Sequence, residues 1–261
     1  MDPWYLWYAV TGILAGLLAG LMGVGGGLVI VPSLLFAFAL QGLEPRYLAH
    51  LAVGTSLAAI VPISVSSLWA HHRRGAVEWS LVLLLAPGLM LGAWSGAWLA
   101  DQMSTLWLKR LFGAFLLLVA LQMVSGFQPP PGGRHPGRWL FAVTGWLIGG
   151  VSGLVGIGGG TMTVPFLVWQ GNPLPRAVAT SAACGLPIAL AGAAGFIFFG
   201  ADVQISGAAG YVHWSAMVVI ALFAVVMAPL GARLAHTLPV AVLRRLFGAV
   251  LAIVGSRLLL G

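Results

Sequence analysis

Two runs of three glycines, Gly25-Gly26-Gly27 and Gly158-Gly159-Gly160, stand inside otherwise apolar stretches. Consecutive glycines oppose a continuous helix, each by roughly 1 kcal/mol relative to alanine. A helical arm that resumes after such a break starts with N–H groups that have no intrahelical acceptor. Those N–H groups lie at the positive end of the helix dipole and make an anion site without any charged side chain. The arms resume near Leu28 and Thr161, so the candidate substrate-binding residues are Gly25, Gly26, Gly27, Leu28, Gly158, Gly159, Gly160 and Thr161. Thr55-Ser56 and Thr180-Ser181 add four hydroxyls able to donate to an oxyanion. The competing use of each is a back-bond to a carbonyl one helical turn earlier. Recurrence of the pair beside Pro62 and Pro187 keeps the binding role open.

The elements that position these residues occur twice. Gly12–Leu35 aligns with Gly145–Val168 at a constant offset of 133, with 12 of 24 positions identical. Pro32 and Pro165 each follow the last glycine of their triplet by five residues. Further matches join Ala52–Pro62 to Ala177–Pro187, Trp79 to Trp214, and Lys109–Ala114 to Arg244–Ala249. The chain therefore reads as a first transmembrane repeat over 1–125, a Pro/Gly linker over 126–138 that cannot continue a helix, and a second repeat over 139–261. A pair of glycine-interrupted apolar segments at corresponding places in two halves points to a transporter's binding site. Gly12, Gly16 and Gly20, like Gly145, Gly149 and Gly153, recur every fourth residue, and that spacing is assigned to close helix packing. Three glycines in a row do not make a packing stripe.

Composition places the chain in a membrane. Hydrophobic residues make up 60% and charged residues 7%, where a soluble domain carries about 25% charged residues. Mean hydropathy is +1.03. Apolar segments at 5–22, 28–40, 48–69, 79–100, 106–125, 139–155, 161–170, 177–199, 212–232 and 241–260 predict an all-α polytopic membrane protein with eight to ten helical segments. The start, MDPWYLWYAV, lacks a basic n-region, so no cleavable signal peptide is expected. Tryptophans such as Trp69, Trp79, Trp107, Trp139 and Trp214 near segment ends fit interfacial belts.

Orientation turns on parity. If each glycine-broken stretch is one span, each half has four spans and the repeats are parallel. If its arms run separately, each half has five segments and the repeats are inverted. Basic residues split 5 against 7 in the first case and 4 against 8 in the second. The second split favours inverted repeats with both termini outside. Segments 28–40 and 161–170 are short for full spans, and re-entrant arms that stop mid-membrane remain the alternative.

The net charge of +7 does not indicate nucleic acid, because the 12 basic residues are dispersed through loops and helix ends. The single cysteine, Cys184, excludes an intramolecular disulfide and a cysteine-based metal cluster. No cofactor, no metal site and no catalytic set is expected, since no segment centre carries Asp, Glu, Lys or His. A membrane-embedded enzyme and a purely structural subunit are the alternatives from other classes. A cation transporter would normally use intramembrane carboxylates. Arg176 is read as a snorkelling interfacial residue. His50 and His213 are read as ordinary hydrogen-bonded side chains near segment ends.

AGLMGVGGGLVIVP and SGLVGIGGGTMTVP, each followed by AVxTS and a KRLFG-like stretch, resemble the TauE/SafE sulfite exporter family, also called the toluene-sulfonate uptake permease superfamily. The resemblance spans nearly the whole chain. It implies a bacterial or archaeal inner-membrane transporter of sulfur-containing anions such as sulfite, sulfoacetate and other sulfonates. It also places the glycine motif on Gly23–Gly27 and Gly156–Gly160 and the Thr-Ser motif on Thr55-Ser56 and Thr180-Ser181. Ala179 and Ala182 depart from Gly54 and Leu57 of the first copy, so the two half-sites need not be equivalent. The expected partners are a small anionic substrate and the lipid bilayer, with no nucleic acid. A homo-oligomer is left open, as are the identity of the anion, its direction and its coupling ion.

Overall fold

The computed structural model describes residues 3–23, 25–126, 137–234 and 240–260. Most of the 126–138 linker lies outside the described residues. The helices are α1 (Pro3–Met22), α2 (Gly27–Leu40), α3 (Leu48–His72), α4 (Trp79–Asp101) and α5 (Thr105–Ser125), then α6 (Arg138–Val155), α7 (Gly160–Trp169), α8 (Leu174–Phe199), α9 (Trp214–Leu234) and α10 (Val240–Leu260). The described residues thus hold ten helices, at the top of the expected range. Six are long and apolar enough to cross a membrane, and α2 and α7 are among the shorter ones. Their outward faces carry exposed side chains such as Leu83, Leu91, Leu118, Val226 and Ile253, as a lipid-facing surface requires. The protein is a multi-pass membrane protein.

One element departs from the all-helical expectation. The sequence pattern starts the ninth segment at 212, but Val212–His213 is a short strand, β2, paired antiparallel with β1 at Ala208–Ala209. Gly207 and Gly210 take positive φ around this hairpin, and helix begins only at Trp214.

Packing fixes the relative direction of the helices. Gly12, Gly16 and Gly20 of α1 abut the carbonyls of Ile220, Ala224 and Ala228 of α9 in that order, so α1 and α9 run in the same sense. Gly145, Gly149 and Gly153 of α6 abut the carbonyls of Leu85, Leu89 and Ala93 of α4 in the same way. A Cβ at any of these six glycines would collide with backbone or crowd it. Their four-residue spacing is therefore a packing device. By contrast, α5 and α10 are antiparallel, with Gly113 against Gly255 and Gly248 against Ala120 and Val124. So are α3 and α8, with Leu57 beside Gly192 and Ser64 beside Gly185.

The first two helices form a hairpin. Trp7 Nε1 donates to Ser33 Oγ at 2.8 Å, Thr11 Oγ1 lies 2.6 Å from Ser33 Oγ, and Gln41 Nε2 donates to the Tyr8 hydroxyl at 2.7 Å. A continuous helix would separate residues 7 and 33 by roughly 39 Å, so α2 doubles back along α1. In the second half α7 turns back and packs on α8, with Phe166 in edge contact with Phe141 of α6 at 5.9 Å.

Buried side chains concentrate on α3 and its neighbours. Ala49, Leu51, Ala52, Val53, Leu57 and Ile60 are within a few per cent of complete burial. Helices α3 and α8 thus lie at the centre, flanked by α1 with α9 and α4 with α6.

Candidate functional site

The two hairpin turns are made by the glycine motifs. Helix α1 ends at Met22 and α2 starts at Gly27, while α6 ends at Val155 and α7 starts at Gly160. Gly26 and Gly159, immediately before α2 and α7, have φ of 79° and 74°. A side chain at either would be strained in this left-handed region. It would also crowd the Ala15 backbone at Gly26 or strike Ile188 at Gly159.

The turns meet each other. A Cβ on Gly25 would sit 3.0 Å from Gly158 Cα, and one on Gly27 would strike the Gly156 carbonyl. The contact lies deep, because Gly26 packs on Ala15, about 18 Å along α1 from its start. Neither α2 nor α7 has a side-chain N-cap. The N–H groups of Gly158, Gly159, Gly160 and Thr161 donate no turn or cap hydrogen bond to another described residue. The glycine candidates are therefore brought together as two facing helix N-termini.

The Thr-Ser pairs sit elsewhere and make matched contacts between the halves. Thr55 Oγ1 accepts from the His213 N–H at 2.9 Å, and Thr180 Oγ1 accepts from the Glu78 N–H at 3.1 Å. His213 and Glu78 are the residues immediately before α9 and α4. Ser56 Oγ donates to the Gly156 carbonyl at 2.8 Å. Ser181 Oγ donates to the Val178 carbonyl at 2.9 Å and lies 3.5 Å from the Gly23 carbonyl. Each pair thus contacts the other half's glycine turn and the start of one of its helices. Thr55→Val and Thr180→Val are expected to lower stability by about 1 kcal/mol each, read as a lower melting temperature in detergent. Unchanged melting in both would show that these hydroxyls hold nothing together.

A small, partly open cavity with room for about one water molecule lies where the turns meet α3 and α8. Gly23, Gly25 and Gly158 form one wall, Ser64 and Ser67 of α3 another, and Ala182 and Gly185 of α8 a third. Of the sequence candidates only Gly25 and Gly158 border it; Thr55, Ser56, Thr180 and Ser181 do not. Sequence reasoning missed the two serines. Ser67 is 3% exposed and its hydroxyl has no hydrogen-bond partner among the described residues. Leaving such a group unpaired costs about 1–3 kcal/mol.

The cavity is one-sided. At the repeat offset of 125, Ala182 and Gly185 correspond to Leu57 and Ile60, both fully buried. Leu57 packs against Gly192, the counterpart of Ser67. Bulk fills the place in one half where small residues leave space in the other.

Charged groups stay at the ends of the helices. Arg176 pairs with Glu78 at 2.7 Å, both sides substantially exposed, which makes a weak surface bridge. Asp101, at the end of α4, accepts from the Tyr211 hydroxyl at 2.8 Å. Burial and this carboxylate push the Tyr211 phenol well above its ordinary range. His50 Nε2 lies 3.0 Å from the Ala100 carbonyl and 3.1 Å from that of Met103. Among the described residues no three His, Cys, Asp or Glu side chains cluster as a metal site.

A family profile described as "Sulfite exporter TauE/SafE" matches residues 8–258. A probable membrane transporter protein of Haemophilus influenzae is 32% identical over 254 residues, covering 96% of each chain. A probable membrane transporter protein of Methanocaldococcus jannaschii is 32% identical over 174 residues, covering 66% of this chain and 64% of its own. One from Bacillus subtilis is 30% identical over 196 residues, covering 66% and 70% respectively. No solved structure matches.

Proposed function

The chain belongs to the sulfite exporter TauE/SafE family, and from that premise we propose that it carries a small sulfur-containing oxyanion, sulfite or a short organosulfonate, across the cell inner membrane. The observation that carries this reading is the pair of facing glycine turns, which meet at a cavity lined, among the described residues, by no charged side chain. Gly25 and Gly158 border it, and Gly26, Gly27, Leu28, Gly159, Gly160 and Thr161 complete the two turns proposed to receive the anion. Neutral donors suit transport, because an anion held by a paired guanidinium would leave slowly. Thr55, Ser56, Thr180 and Ser181 act on the anion through the turns they position.

The same reading takes the chain as two inverted repeats, 1–125 and 139–261. Partner exchange supports it: α1 packs on α9 as α6 packs on α4, and α3 on α9 as α8 on α4. The corresponding helices α3 and α8 run antiparallel, as do α5 and α10, which supports a two-fold axis across the helices rather than along them. The ends of the helices near Arg73, Arg74, Arg176 and Arg233 then face the cytoplasm by the positive-inside rule. Ser64 and Ser67 lie in the half of α3 toward that side, so the cavity belongs to an inward-facing state.

The test is flux into proteoliposomes. Sulfite and short sulfonates are expected to enter vesicles holding the protein faster than empty ones, while acetate and chloride enter both alike. Equal rates for sulfur oxyanions in the two preparations would remove the proposal.

A further inference from the structure

The anion-facing walls of the cavity offer two kinds of polar group. N–H groups of the glycine turns only donate, whereas the Ser64 and Ser67 hydroxyls both donate and accept. Ser67 uses neither capacity on another described residue, although it is almost completely buried. A serine in an apolar helix ordinarily bonds the carbonyl one turn back, as Ser95 does to Leu91 at 2.6 Å. Ser67 instead lines the cavity that Gly158 also borders. Ser64 lies beside it, with its hydroxyl 3.1 Å from where a Cβ on Gly185 would stand. The hydroxyl wall exists in one half only, because the corresponding positions of the second half are Ala189 and Gly192.

Charge limits what such a cavity can hold. No cationic side chain lines it, and the desolvation cost of an ion grows steeply with its charge. A dianion would bring four times the Born cost of a monoanion with no counter-charge to offset it. We infer that the transported species is a monoanion that still carries its proton, of the hydrogen sulfite type, with its oxygens on the glycine N–H groups and its O–H donated to Ser67. This rests on the oxyanion reading above and adds the protonation state and the residue that recognises it.

Titratable groups on the surrounding elements do not line the cavity. Helix α3 carries His71 one turn beyond Ser67, α8 carries Cys184 and Arg176, α9 carries Arg233, and α1 carries Tyr5 and Tyr8. The described parts of α2 and α7 carry none.

The experiment measures the apparent affinity for total sulfite in proteoliposomes as pH rises through neutrality, where the second proton leaves. Wild-type affinity should fall in step with the hydrogen sulfite fraction. Ser67→Ala should weaken affinity on the acid side by about tenfold and flatten the profile. Ser67→Thr, which keeps the hydroxyl, should restore both, and His71→Gln should leave the profile in place. Affinity that rises with pH would overturn the inference. So would a Ser67→Ala protein with wild-type affinity, or a profile lost with His71 and kept without Ser67. Each of these outcomes leaves sulfite transport itself intact. Absence of any sulfur-oxyanion flux in the wild type would defeat the oxyanion reading instead. If Ser67→Ala does not fold, the wild-type profile alone decides against a dianion or for the monoanion.

Discussion

Ala182→Leu is expected to reduce sulfite flux by roughly tenfold or more, the effect of about 1.4 kcal/mol lost in binding, while the protein remains folded. Ala182 lines the cavity between the glycine turns and α3. Its counterpart in the first half is Leu57, which is fully buried against Gly192. Leucine at 182 copies into the open half the bulk that already fills the closed one. The overpacking cost of about 1–3 kcal/mol lowers the melting temperature but leaves the fold in place. Flux and melting temperature together separate the outcomes. Lost flux with a retained melting transition supports the cavity as the path. Wild-type flux with a leucine in place would show that the anion crosses somewhere else. This substitution is a sharper probe than alanine at Gly26 or Gly159, where positive φ and a tight neighbour would disturb folding as well.

Much of the arrangement was legible because it is written twice. Consecutive glycines predict a break wherever they fall in an apolar run, and both breaks lie where the triplets stand. Segment 79–100 differs from α4 by one residue at its end, and 161–170 differs from α7 by one residue at each end. The packing role of Gly12, Gly16 and Gly20 followed from spacing alone. The direction of α2 did not, because a glycine break looks the same whether the chain continues or returns. That distinction is carried by Trp7, Thr11 and Ser33, a contact between side chains 22 or more residues apart.

The search for recurrence also hid what occurs once. Ser64 and Ser67 have Ala189 and Gly192 as counterparts, so a comparison of the halves discards them. A serine in a transmembrane helix reads as satisfied by its own backbone, and only the three-dimensional contacts show that Ser67 is not. The Thr-Ser pairs do not border the cavity. Repetition drew attention to them, yet the hydroxyls repeat because the contacts between halves repeat. The hairpin at 208–213 was missed for a simpler reason: two-residue strands carry no measurable alternation.

Transport is expected to be electrogenic and to survive loss of any single carboxylate. Glu44 and Asp202 are exposed in loops, Glu78 pairs with Arg176, and Asp101 meets Tyr211 at the end of α4. None of them borders the cavity, and Asp2 lies outside the described residues. A carboxylate relay beside the substrate is therefore not built into the described structure. A net negative charge moving outward gains about 2.3 kcal/mol per 100 mV from an interior-negative potential, enough to support a concentration ratio of roughly 50-fold. Export then needs no second ion. In proteoliposomes with a potassium diffusion potential, efflux should accelerate when the loaded side is made negative and slow when the sign is reversed. Glu44→Gln, Glu78→Gln, Asp101→Asn and Asp202→Asn should each retain that response. Flux indifferent to the imposed potential would mean electroneutral exchange or symport. A single neutralised acid that removed transport together with its pH dependence would place a proton site on that residue and remove the carrier-proton role assigned to the substrate itself.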